Sequence, residues 1–99
     1  MGWLNADMEK VAVEQLNLTG TEKVLELGFG SGIGLKYLAS KIPSENVAGV
    51  EPSSAMRTQA AARLSSIGRS AVQIREGSSA NIPWPPESFD AVVSVNNVQ

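Results

Sequence analysis

An α/β fold built on a parallel sheet is predicted for this chain by three features. Short apolar runs at residues 23–27, 47–51, 71–75 and 90–95 alternate with segments whose apolar residues recur at helical spacing. The first run ends in Val-Leu-Glu-Leu-Gly-Phe-Gly-Ser-Gly-Ile-Gly (24–34), with glycines at 28, 30, 32 and 34. The second ends at Glu51-Pro52, where proline restricts the preceding residue to extended backbone. Strands alternating with helices imply parallel pairing with helical crossovers. In such open sheets, ligands bind beyond the carboxyl ends of the strands.

The elements follow in order. Residues 5–17 read as a helix, with Asn5 or Asp7 as cap and Met8, Val11, Ala12, Gln15 and Leu16 along one side, ended by Gly20. Strand 23–27 leads into the glycine-rich turn. Helix 32–42 carries Leu35, Leu38, Ala39 and Ile42 at i, i+3, i+4 and i+7, and stops before Pro43. Strand 47–51 follows. Ser53 is placed to cap helix 54–67, whose stripe is Met56, Ala60, Leu64 and Ile67 and whose end is Gly68. Strand 71–75 precedes a turn at Gly77, and strand 90–95 is the fourth. No internal repeat, low-complexity stretch or linker interrupts this order.

Composition narrows the function. The 99 residues suffice for at most one domain, and 42% hydrophobic with 18% charged residues is ordinary for a globular protein. A net charge of −2, without a basic run in sequence, argues against a broad nucleic-acid-binding surface. The chain has neither cysteine nor histidine, which removes disulfides, thiolate chemistry and the commonest general base and metal ligand. No metal site is expected. No apolar run approaches the roughly 18 residues of a membrane span, and no signal peptide opens the chain. A soluble, cytoplasmic protein without membrane contact is the expectation.

The glycine spacing bears on the ligand. A dinucleotide fingerprint needs G-x-G-x-x-G, but Ile33 or Leu35 occupies the position of the third glycine, depending on the starting point. The spacing present is G-x-G-x-G, with Glu26 two residues ahead of Gly28. Glu51, about 20 residues past the loop, falls where a carboxylate accepts hydrogen bonds from ribose hydroxyls. Residues 76–95 then supply Gly77-Ser78-Ser79, Ile82-Pro83-Trp84 and Phe89-Asp90. These three blocks, in this order, resemble motifs of the class I S-adenosylmethionine (SAM) methyltransferases that act on small molecules, over residues 5 to 98.

That resemblance implies a partial Rossmann-like sheet of order 3-2-1-4, with helices on both faces. It implies SAM as cofactor and a small-molecule methyl acceptor. The cofactor-binding residues it points to are Glu26, Gly28, Phe29, Gly30, Gly32, Glu51, Pro52, Met56, Gly77, Ser78, Ser79 and Asn96. The family's usual aspartate is replaced by Ser78, so either its uncharged hydroxyl makes a weaker contact to adenine or adenine is held mainly by stacking and by backbone groups near Ser79. Phe29 either closes over the cofactor or packs against the N-terminal helix, and Met56 either touches adenine or belongs to its helical stripe. Trp3 is read as packing; Trp84 either packs or stacks on substrate. Asp90 reads as a strand-entry residue, and Asn96 and Asn97 as substrate-orienting candidates. Pro85-Pro86 precedes the fourth strand and does not match the Pro-Pro element of methyltransferases acting on nucleic acids. No catalytic acid or base is nominated, since the sulfonium is already electrophilic and the protein's task is positioning.

A nicotinamide-dependent oxidoreductase and a non-catalytic SAM-binding fragment are the alternatives. The resemblance covers only four of the family's seven strands. Residues 1–99 therefore read as a single partial domain, lacking the carboxyl-terminal strands. Its fourth strand would present an open apolar edge prone to self-association. Glu51 is expected at the solvent-exposed strand end, contributing little to fold stability.

Overall fold

The computed structural model describes residues 10–94. Four strands, β1 (Val24–Leu27), β2 (Val47–Val50), β3 (Gln73–Arg75) and β4 (Ala91–Val93), form one sheet in the order β3-β2-β1-β4. All three pairings are parallel, in the register Val24 with Val47 and with Ala91, and Ala48 with Gln73. β2 has strands on both sides and reads Val-Ala-Gly-Val, buried throughout, as expected of a central parallel strand.

Three helical segments lie on one face of this sheet: residues 10–15 (α1), Ile33–Ala39 (α2) and Ser54–Ser66 (α3). Register assigns the faces. Val24, Val47, Ile74 and Val93 pack with Val13, Phe29, Leu35, Leu38, Ala60 and Leu64 in the main core. Leu25, Leu27, Ala48 and Val50 point the other way, against Trp84 and Phe89. The resemblance implied helices on both faces; among the described residues they occupy only one. The connections from β1 to β2 and from β2 to β3 step the same way along the sheet, and right-handed crossovers then place both helices on the same side. The segment carrying Trp84 and Phe89 covers part of the opposite face. Val92, on that face, is 54% exposed.

The expected stripe Leu35, Leu38, Ala39 and Ile42 is buried throughout, but α2 ends at Ala39 and Ile42 enters the core from the turn that follows. Burying each leucine contributes about 1.5–3 kcal/mol. The other two stripes shift. In α1, Val13 is buried and Val11 exposed. Two residues apart, these valines lie roughly 200° apart on a helix, so one alone faces the core. Leu16, three residues after Val13, packs with it. After α1, the chain turns away at Asn17, in left-handed conformation (φ 53°).

In α3, Ser53 caps the helix as expected, its Oγ accepting from the Met56 N–H at 3.2 Å. Ala60 and Leu64 are buried, whereas Ile67 is 43% exposed. Ile67 is the C-cap residue, and its backbone (φ −112°, ψ 15°) is no longer helical, so it does not follow the stripe. Gly68 (φ 72°) donates to Ser65 O at 3.1 Å and Arg69 N donates to Leu64 O at 2.8 Å. This is a Schellman closure, which requires a left-handed residue at position 68. A short 3-10 turn, Ser44–Asn46, leads into β2 and carries no periodic signature in sequence.

Candidate functional site

The carboxyl ends of β1, β2 and β3 converge on Glu51. Its backbone N–H donates to Arg75 O at 3.1 Å, extending the β2–β3 ladder by one step. Gly28 N donates to Val50 O at 2.8 Å and ties the start of the glycine loop to the same place. The Glu51 carboxylate then joins three segments. Oε1 accepts from the Gly30 N–H at 2.9 Å, and Oε2 accepts from the Ser53 N–H at 3.0 Å. Both oxygens thus hold backbone donors, one in the loop and one at the cap of α3. Glu51 is only 9% exposed, so the expectation of a solvated strand-end charge is corrected. The loop and the α3 cap fold back over it, which no spacing in β2 announces.

The glycines have separable reasons. Gly28, Gly30 and Gly32 all have positive φ (64°, 59° and 93°), a region that side chains with a Cβ enter at a cost. A Cβ on Gly28 would meet nothing within 4 Å, so its backbone borders open space. A Cβ on Gly32 would lie 2.8 Å from the Ala60 Cβ, so Gly32 exists to let α3 pack against the loop. At Gly34 the added atom would fall 2.5 Å from a Glu26 carboxylate oxygen.

Two expected ligand residues are turned inward. Glu26 is 1% exposed, its carboxylate lying against the first turn of α2 at Gly34. Helix N-termini favour such an anion. Phe29 is fully buried, its ring over Gly49 in the core shared with Val13. The packing alternative therefore holds for the Phe29 side chain, and neither residue presents an exposed side chain to a ligand.

Gly77, buried next to Val50, closes a tight turn in which a Cβ would lie 2.5 Å from Asn81 O. Ser78 N donates to Asn81 O at 3.2 Å, Asn81 N returns a bond at 3.0 Å, and Ser78 Oγ accepts from the Ala80 N–H at 3.2 Å. Ser78 thus builds its own turn, and its hydroxyl proton remains available. Pro52 and Ser79 are exposed and Met56 is half-buried, at the edge of this region. Asn96, like Trp3, lies outside the described residues. Trp84 is held in place by its neighbours. It meets Phe89 edge-on at 5.3 Å, the Arg75 guanidinium sits 4.5 Å from its ring centroid, and its Nε1–H donates to Gln73 at 3.3 Å. Asp90 accepts from the Lys23 N–H at 2.9 Å, in the strand-entry role expected for it.

Two arginines escaped the sequence reading. Arg57 Nη1 donates to the backbone carbonyls of Glu51 (2.8 Å) and Pro52 (3.0 Å), and Arg63 Nε donates to Ser31 O at 3.0 Å. On sequence they are solvated charges on α3. One cue existed: Arg63 lies three residues after Ala60, so a helix that packs Ala60 on Gly32 brings Arg63 beside the same loop.

Comparison with known proteins identifies this arrangement. The family described as "Methyltransferase domain" matches residues 24–99. The chain belongs to the class I SAM-dependent methyltransferases. It is 42% identical over 82 residues to protein-L-isoaspartate O-methyltransferase 1 of Rhodopseudomonas palustris, covering 82% of this chain and 32% of that protein. It is 31% identical over 93 residues to the uncharacterized methyltransferase YdaC of Bacillus subtilis, covering 94% of this chain and 50% of that one. The methyltransferase chain thus spans half or less of the length of these relatives. The crystal structure of the YcgJ protein from Bacillus subtilis superposes with a TM-score of 0.80 at 19% identity, over 89% of this chain and 37% of that one, and supports the fold alone.

The methyltransferase site suits its family's cofactor on three counts. A fixed carboxylate stands at the end of β2, open space borders Gly28, and the Gly77 turn lies across the end of β2 from the loop. No group of three or more acidic, histidine or cysteine side chains that could hold a metal ion occurs among the described residues.

Proposed function

We propose that this chain forms the cofactor-binding part of a methyltransferase that transfers a methyl group from SAM to a small-molecule acceptor. The observation that carries the reading is the Glu51 carboxylate, fixed by the Gly30 and Ser53 amides at the carboxyl end of β2. Each carboxylate oxygen has a second lone pair beyond the one holding its amide, and these accept from a pair of ribose hydroxyls. Gly28 lets the ligand approach the backbone, and Gly77, Ser78 and Ser79 border the base. Pro52 and Met56 flank the same region, and Asn96 completes the proposed set. Glu26 acts from beneath the loop, by holding the start of α2.

When bound, SAM supplies an electrophilic methyl group on its sulfonium. The chain's own residues bind and orient the cofactor, and positioning of this kind accounts for a large share of the rate in displacement reactions. The acidic Glu26 and Glu51 also favour a cationic ligand over an anionic one, such as the pyrophosphate of NAD.

Calorimetric titration tests this. SAM or S-adenosylhomocysteine should bind with saturable heat and displace each other, and NAD should not compete. Tighter binding of NAD overturns the proposal.

A further inference from the structure

We propose that the cavity between α1, the carboxyl end of α2 and the turn after α3 is a second binding site, for a small organic anion with an apolar body. The cavity measures about 480 Å³, within the range of about 300–1,000 Å³ of small-molecule sites. Its apolar lining is Val13, Tyr37 and Ile67, and Lys10, Lys36, Lys41 and Arg69 surround it, with Glu14 as the one carboxylate among the described residues. None of the residues assigned to the cofactor lines it. Helices run back from the strand ends, so the last turns of α2 and α3 lie at the edge of the sheet remote from Glu51.

Charge is concentrated here against the trend of the whole chain. Four of the eight lysines and arginines line one cavity in a protein of net charge −2. The ordinary reading is that Lys36, Lys41 and Arg69 offset the ends of two helices. Each helix end carries roughly half a negative charge. Among the described residues, two helix ends and Glu14 thus account for about two of the four positive charges, and about +2 remains. The other arginines are committed: Arg57, Arg63 and Arg75 donate to backbone carbonyls. The four cations of the cavity make no side-chain hydrogen bond among the described residues. Ile67 supplies the second sign of a site. The Schellman closure at Gly68 fixes this large apolar side chain, 43% exposed, on the cavity wall. An apolar wall ringed by uncommitted cations suits a ring or short chain ending in phosphate or carboxylate.

The test uses the ¹⁵N-labelled chain and phenyl phosphate as probe, with benzyl alcohol, inorganic phosphate and phosphatidic-acid vesicles as the other arms. Phenyl phosphate should shift the amide signals of Ser40, Lys41, Ile67 and Arg69 saturably. It should bind at least tenfold more tightly than benzyl alcohol or inorganic phosphate, and the vesicles should not retain the chain. The double variant Lys41→Glu with Arg69→Glu, both exposed, should weaken phenyl phosphate at least tenfold and leave the Gly28 and Gly30 signals in place. Equal binding of benzyl alcohol, equal binding of inorganic phosphate, capture by vesicles alone, or indifference to the double variant would each overturn the proposal.

Discussion

At Gly28 and Gly32 the same substitution should act on different properties. Alanine in left-handed backbone costs roughly 1–2 kcal/mol. At Gly28 that is the whole structural cost, because no neighbour lies within 4 Å. Gly28→Ala should lower the melting temperature by a few degrees and weaken S-adenosylhomocysteine at least tenfold, as the methyl group enters ligand space. At Gly32 the alanine also collides with Ala60, and overpacking adds about 1–3 kcal/mol. Gly32→Ala should therefore show the larger loss in thermal unfolding. Glu51→Ala removes the acceptor of two backbone amides. Hydrogen bonds to charged groups contribute about 1.5–3 kcal/mol each, so unfolding in urea should show a loss of about 3 kcal/mol along with lost affinity. An unchanged unfolding midpoint would return Glu51 to the solvated role that its position in the sequence suggested.

At the scale of elements, the contacts of α3 with the loop predict a positioning role for Arg63. Arg63→Ala releases Ser31 O while leaving Ala60 and Leu64 in the core. Binding of S-adenosylhomocysteine should weaken several-fold with little change in unfolding midpoint, and Arg63→Lys should restore part of it. Glu22 predicts a pH dependence for the turn entering β1. Its carboxylate is lowered from 4.5 to about 2, chiefly by the Thr19 N–H, with the Thr19 hydroxyl and the Gly20 N–H adding to it. A depressed folded pKa stabilises above the unfolded value. That stabilisation should be complete above about pH 4.5 and vanish as pH falls toward 2. Comparing Glu22→Gln with wild type by thermal unfolding across this range should show the gap closing on acidification. Periodicity made α2 legible because Leu35, Leu38 and Ala39 fall inside the helix, and the turn after it brings Ile42 into the same core. It misplaced Val11 because Val13, on the opposite side of α1, is the valine that faces the core, and Ile67 because α3 ends one residue before it. The burial of Glu51 was hidden because its partners, the Gly30 and Ser53 amides, are backbone groups that every sequence contains.

For the molecule as a whole, parallel pairing was legible from the alternation of strands and helices, whereas the order 3-2-1-4 came from the resemblance to the methyltransferases. The coverage of the two faces was not legible, since it depends on what packs from outside a strand's own pattern. β4 has one neighbour among the described strands, and Val92 exposes an apolar surface beside it. Such an edge templates pairing with another chain. Sedimentation should show self-association that grows with concentration, and Val92→Lys should shift the chain toward monomer. A monomer at all concentrations would remove the edge as a contact surface. The central claim, that the loop and the Glu51 clamp hold the cofactor, is tested most directly by titrating S-adenosylhomocysteine into the ¹⁵N-labelled chain. Saturable shifts concentrated at the Gly28, Gly30, Glu51, Ser53 and Gly77 amides are the predicted result. Shifts confined to Lys41, Ile67 and Arg69, or no saturable shift in the folded chain, would contradict it.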